Sequence, residues 1–247
     1  MTTLNFYEKP VMLDRNQHRN MRLRTSPNGY AYAASTIAIP LAPIEFVQAV
    51  FEYPIVFTLN ENGPGTPIAL VGVRENENLL VDENGKWLAE YVPAFVRRYP
   101  FVLNIDPTTG APTVLIDEAF DGIGLTDGDR LFEEDGSETP MLKNTLAFLG
   151  DFKQQSEFSD QFMTHLKKYD LLIPQGIAVN QGSEQSITLD GFCIVDEKRL
   201  MALDDAATLE LARSGDLARI YTHLLSLGNV NRLVQRLPPK LPSKPVA

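Results

Sequence analysis

The first 135 residues are dominated by short β-prone runs separated by turn-forming clusters. Residues 30–39, 55–59, 68–73, 101–105 and 113–116 are rich in Val, Ile, Thr and aromatic side chains, and Pro, Gly, Asn and Asp bound them. Several are apolar at consecutive rather than alternate positions, the pattern of strands covered on both faces. Between them, residues 43–50 and 88–98 show helix-like spacing, the second interrupted or restarted at Pro93. Helices inserted between strands predict a mixed sheet.

Beyond residue 138 the period lengthens. Thr139 before Pro140 fits an N-cap followed by proline at the first helical position, where the missing amide has no intrahelical partner to lose. Leu142, Leu146, Leu149 and Phe152 form an apolar stripe, residues 154–157 interrupt it, and Phe158, Phe162, Leu166 and Tyr169 resume it. The pattern predicts either one helix of about 29 residues, about 43 Å long, or two helices broken near Ser156. A strand over 185–195 follows. Asp204 then caps a short helix ended by Gly215, and Asp216 caps a final helix carrying Leu217, Ile220, Tyr221, Leu224, Leu227 and Val234. The expected class is α+β: a mixed sheet with short inserted helices in the N-terminal part, and a helical C-terminal part packed against it. Residues 1–236 read as a single domain with a loose boundary near Gly136, followed by a Pro-rich tail, 237–247, expected to be extended and mobile.

Composition narrows the function classes. The 32 Asp and Glu outnumber the 22 Lys and Arg, and the resulting formal charge of −10 argues against a general nucleic-acid binder. The one cysteine, Cys193, lies in an apolar run and reads as a small buried hydrophobe, so the chain needs no oxidising compartment. Residues 25–44 carry no formal charge, yet Pro27, Pro40 and Pro43 make a spanning helix a poor reading. Glu8 and Pro10 stand where a secretory leader would place its apolar stretch. A cytoplasmic location without direct membrane insertion is expected.

Motif chemistry is sparse. His18, His165 and His223 are scattered, cysteines are unpaired, and no acidic turn has calcium-loop spacing, so neither a metal nor a cofactor is expected. Gly63-Pro-Gly65 lacks the Lys-Ser or Lys-Thr of a phosphate loop, and no Gly-x-Ser-x-Gly elbow is present. The most informative stretch is 87–101. Tyr91, Phe95 and Arg98 share a helical face if Pro93 lies in the first turn, and a guanidinium from Arg97 or Arg98 beside Trp87, Tyr91 and Tyr99 suits a carboxylate or a ring. The competing reading pairs both arginines with the protein's own acids and puts the rings in the core. His223 sits at the edge of the last helix's apolar stripe, with Ser226 and Asn229 nearby, and reads as a hydrogen-bonded structural histidine or as a general base.

The segment Gly85-Lys-Trp-Leu-Ala-Glu-Tyr-Val-Pro-Ala-Phe-Val-Arg-Arg-Tyr-Pro-Phe101 resembles the signature stretch of the bacterial SapC family. Matching features recur in order at 43–46, 53–57, 131–136, 171–174, 191–197 and 223–229, so the resemblance spans nearly the whole chain. It implies association with the export of surface-layer or peptide cargo, and it carries over no catalytic residues. The leading expectation is a non-catalytic accessory or ligand-binding protein. Trp87, Tyr91, Arg97, Arg98, Tyr99 and His223 would contact an acidic or peptide ligand or the transport machinery, with self-association left open. The alternative is an enzyme whose pocket joins Arg97 or Arg98 to His223.

Overall fold

The computed structural model describes residues 6–60, 63–106, 108, 110–180 and 186–237, with backbone alone for 177–180 and 186–188. The tail expected to be mobile lies, from residue 238 on, outside the described residues. In chain order the strands are β1 (Pro10–Met12), β2 (Arg22–Leu23), β3 (Ala38–Pro40), β4 (Ile55–Asn60), β5 (Gly63–Leu70), β6 (Phe101–Ile105), β7 (Pro112–Asp117), β8 (Ile123–Gly124), β9 (Asp129–Arg130), β10 (Leu172–Asn180) and β11 (Ser186–Val195). The helices are α1 (Phe46–Ala49), α2 (Ala94–Arg97), α3 (Pro140–Lys168), α4 (Glu197–Met201), α5 (Asp205–Ser214), α6 (Asp216–Ser226) and α7 (Asn229–Gln235), with 3-10 turns at Ala31–Ala33 and Pro43–Glu45. The α+β class holds, with sheets concentrated in the N-terminal part and helices in the C-terminal part.

The principal sheet has the order β10-β11-β4-β5-β3, and two three-stranded sheets, β1-β7-β6 and β8-β2-β9, stand beside it. Every described pairing is antiparallel, where inserted helices had suggested a mixed sheet. The reason is local: β4 and β5 form a hairpin, as do β6 and β7 and β10 and β11, so most neighbours return directly.

Consecutive apolar residues in β4 and β5 point to alternate faces, and both faces are covered. Ile55, Phe57, Ala69, Cys193 and Val195 join one core with Phe162, Met163 and Leu166 of α3, Leu211 of α5 and Ile220 of α6. Val56, Ile68, Leu70 and Phe192 join a second core with Leu233 of α7. A third core holds Phe101 of β6 and Ile116 of β7 against Leu142 and Leu149 of α3.

The 29-residue α3 is unbroken, capped by Thr139, whose hydroxyl accepts from the Leu142 amide at 3.3 Å. Its first half packs on one core and its last on another. The passage between the two cores falls between Leu149 and Phe152, just ahead of the polar stretch at 154–157.

Several local expectations change. Residues 30–39 form a 3-10 turn and only a short strand at their end. Within 88–98 only Ala94–Arg97 is helical, because Pro93 is an extended N-cap (φ −57°, ψ 144°). Tyr91 thus precedes α2 and does not share its face. Gly215, at φ 78°, ends α5 as expected and also serves as the N-cap of α6, a place the sequence had given to Asp216. The last helix is two, divided at Leu227 and Gly228.

Candidate ligand cleft around Tyr99

The 87–101 stretch divides into a buried half and an open half. Trp87 is 6 % exposed, and its Nε1–H donates to the Tyr53 hydroxyl at 3.0 Å. That hydroxyl donates in turn to the Tyr91 carbonyl, while the Tyr91 hydroxyl donates to Glu45 at 2.6 Å. Glu45 is itself buried and accepts from the Ala94 and Ala42 amides, both at 2.8 Å. This chain of bonds ties the Pro43–Glu45 turn to the entry of α2 and leaves neither Trp87 nor the Tyr91 hydroxyl available to a ligand. Burial, and then the Glu45 carboxylate, push the Tyr91 hydroxyl well above its ordinary pKa.

Arg98 is also enclosed, at 3 % exposure. Its guanidinium carbon lies 4.0 Å from the Phe95 ring centre and 4.9 Å from that of Phe152, and it hydrogen-bonds Tyr7. Desolvation lowers the pKa of Arg98. Burial raises that of Tyr7 to about 12, against the opposing influence of Arg98.

His223 is fully buried. Its Nε2 accepts from the Val195 amide at 3.1 Å and its Nδ1 faces the Ile55 carbonyl at 2.8 Å. The Val195 bond requires an unprotonated Nε2, so Nδ1 carries the hydrogen and donates. Desolvation pushes its pKa down to about 4. Ser226, also buried, donates to the His223 carbonyl and accepts from the Ile55 amide at 2.9 Å. His223 thus bridges α6, β4 and β11 through backbone groups. It is a structural histidine, and the structure does not bring it into a pocket with Arg97 or Arg98.

What remains open is Tyr99 and Arg97. Three adjacent concavities of about 360, 380 and 400 Å³ share Tyr99 in their walls. Tyr99 stands at the centre of a ring cluster: Tyr32 at 4.3 Å, Tyr7 and Phe120 at 5.2 Å and Phe6 at 5.5 Å between centres. Its hydroxyl donates to buried Asp117 at 3.2 Å, and Asp117 also accepts from the Glu8, Lys9 and Ala119 amides. Burial and the Asp117 carboxylate push the Tyr99 pKa up. The ring is thereby fixed while one side of it borders the cleft.

Arg97 is exposed and lines two of the three concavities. Its Nε donates to the Val92 carbonyl at 2.9 Å, and its guanidinium carbon lies 5.2 Å from the Phe148 ring centre. Among the described residues it makes no ion pair, although the chain carries a surplus of acids. Two other cations border these concavities: Arg24, which pairs with Asp127 at 3.4 Å, and Arg98, which is nearly enclosed.

The opposite wall comes from the loop before the Ala31–Ala33 turn. Gly29 (φ 58°) and Gly85 (φ 75°) bring two turns together backbone to backbone, and a Cβ on Gly85 would lie 1.8 Å from the Asn28 carbonyl oxygen. The Tyr30 amide donates to Gly85 O at 2.7 Å, which places Tyr30 on the cleft with Trp87 edge-on behind it, 5.6 Å between ring centres. Trp87 therefore supports a wall residue without forming the wall.

Tyr7, Tyr30, Tyr32, Phe120 and Met141 line the cleft and were not singled out from the sequence. The Tyr30 and Tyr32 pair was visible as a recurring aromatic at 30–32, but it was read as strand alternation. The cleft offers rings, hydroxyls and the exposed Arg97 guanidinium, which makes no ion pair among the described residues. In its walls, Ser26 Oγ and Asn28 Nδ2 donate to Asp121 at 3.0 and 2.9 Å. Among the described residues no group of His, Cys, Asp and Glu is placed to hold a metal.

The structure is thus an antiparallel α+β frame with an open aromatic cleft, and His223 is bonded to backbone groups away from that cleft. The SapC family model matches residues 13–233, and the chain belongs to that family. Searches of curated proteins and of solved structures returned no match.

Proposed function

We propose that the protein is a non-catalytic, cytoplasmic accessory protein that binds an acidic or peptide ligand in the Tyr99 cleft, in association with transport of peptide, protein or surface-related cargo. The observation that carries the binding reading is Arg97: an exposed guanidinium over the Tyr91 and Phe148 rings that shares two cavity walls with Tyr99 and makes no ion pair among the described residues. A planar guanidinium flanked by rings suits a carboxylate whose substituent packs on the aromatics. Membership of the SapC family supports the transport association. The single, buried Cys193, which needs no disulfide chemistry, supports a reducing compartment. Among the described residues no helix is long and apolar enough to cross a membrane, so contact with a transporter would run through a partner.

Calorimetry tests the binding reading. Acetylated tetrapeptides ending in Phe or Leu are titrated as free acids and as C-terminal amides. The free acids bind, amidation weakens binding at least about tenfold, and Arg97→Gln removes that difference. Equal binding of acid and amide, or a preference for the acid that survives Arg97→Gln, contradicts the assignment.

A further inference from the structure

A further concavity is formed where α1 meets the break between α6 and α7. It encloses about 620 Å³, and Val47, Phe51, Leu225 and Arg232 are among its walls. These apolar side chains are unusually open: Val47 is 62 % exposed, Phe51 71 % and Leu225 76 %, with Ile44 and Tyr221 exposed beside them. A cluster of this kind on a monomer marks a surface that another apolar face covers.

Charge indicates what that face carries. The chain is strongly acidic overall, yet after Asp216 it contains no Asp or Glu, only the cations Arg219, Arg232, Arg236, Lys240 and Lys244. Arg232 is the one charged residue lining the groove; it donates to the Phe51 carbonyl at 3.1 Å and makes no ion pair among the described residues. The acids of the neighbouring segment are engaged elsewhere. Glu45 is buried under the Ala42 and Ala94 amides, and Glu52 accepts from the Glu90 amide at 3.3 Å. The surface is thus mostly apolar, with one cation, Arg232, at its edge on a chain that is acidic overall.

We propose that this groove seats the apolar face of an amphipathic helix from another protein, with acidic residues of that helix meeting Arg232 at the rim. Concavity between helix ends fits a helix laid into a groove, read through anchors at i, i+3 or i+4 and i+7. A second copy of this chain would set one net charge of −10 against another. A bilayer would be met better by a flat apolar face with several cations than by a recess with one.

A peptide-display selection with the full chain as bait tests this, using 16-residue sequences with a Leu stripe at helical spacing and randomised remaining positions. The selected peptides are net acidic. Their affinity falls at least about tenfold in Leu225→Glu, and Arg232→Gln weakens acidic peptides more than versions with Glu replaced by Gln. Leu225 is so exposed that its substitution leaves folding intact, which circular dichroism verifies. No selected peptides, selection without acidic bias, or binding unaffected by Leu225→Glu overturns the proposal. So does phosphatidylglycerol-vesicle binding lost in the same variants, or a dimer in light scattering that Leu225→Glu dissociates.

Discussion

Protonating His223 should loosen the junction of α6, β4 and β11. The neutral ring donates to the Ile55 carbonyl and accepts from the Val195 amide, so a second ring proton would set N–H against N–H in a fully buried place. Burial lowers its pKa from 6.5 to about 4. Between those values the unfolded chain binds more protons than the folded one. The stability supplied by the neutral ring is therefore complete above about pH 6.5 and is lost as the pH falls toward 4. The gap is worth about 3 kcal/mol in total, most of which is gone by about pH 4.5. Urea unfolding, followed by the fluorescence of Trp87, measures this as the difference between wild type and His223→Gln at about pH 7 and about pH 4.5, which cancels the carboxylates common to both. At neutral pH the variant is less stable by about 1–3 kcal/mol through imperfect replacement of two buried bonds. That deficit shrinks by about 2–3 kcal/mol at the acid pH, because only the wild-type chain has an imidazole at position 223 that takes up a proton on unfolding. A deficit that is the same at both pH values refutes the reasoning.

Trp87→Phe removes the indole donor to Tyr53 and lowers the free energy of unfolding by about 1–3 kcal/mol, read from the urea midpoint by circular dichroism. Gly85→Ala meets the Asn28 carbonyl at a positive φ and lowers the thermal midpoint by far more than Gly110→Ala, whose φ is 70° but whose added Cβ meets nothing within 4 Å; equal shifts would show that the backbone contact is unimportant. Thr139→Ala costs about 1 kcal/mol in chemical denaturation by uncapping α3, and Thr139→Ser recovers most of it.

The long helix was the most legible element, because a cap, a proline and a stripe at steps of three and four all agree over Pro140–Lys168. The two-faced strands β4 and β5 were legible for a related reason: consecutive apolar residues require cover on both sides, which α3, α6 and α7 provide. Strand direction was not legible, since inserted helices are compatible with either sense of return. Within 87–101 the residue types were informative and their placement was not. Pro93 stops α2 from reaching back to Tyr91, and Glu45, distant in sequence, then captures the Tyr91 hydroxyl. His223 was open to two readings because its partners are backbone atoms of Ile55 and Val195, which no side-chain pattern reveals. The cleft itself depends on Gly29 touching Gly85 and on Phe120 and Tyr32 meeting Tyr99, contacts between segments that the sequence keeps far apart.

The central claim, that the cleft around Tyr99 and Arg97 receives an anionic group, is tested most directly by hydrogen–deuterium exchange on the full chain with the free-acid and amidated tetrapeptides. The account predicts slowed exchange with the free acid in residues 24–32 and 94–101, and no change there with the amide. Protection by both forms alike, or protection confined to other segments, would contradict it.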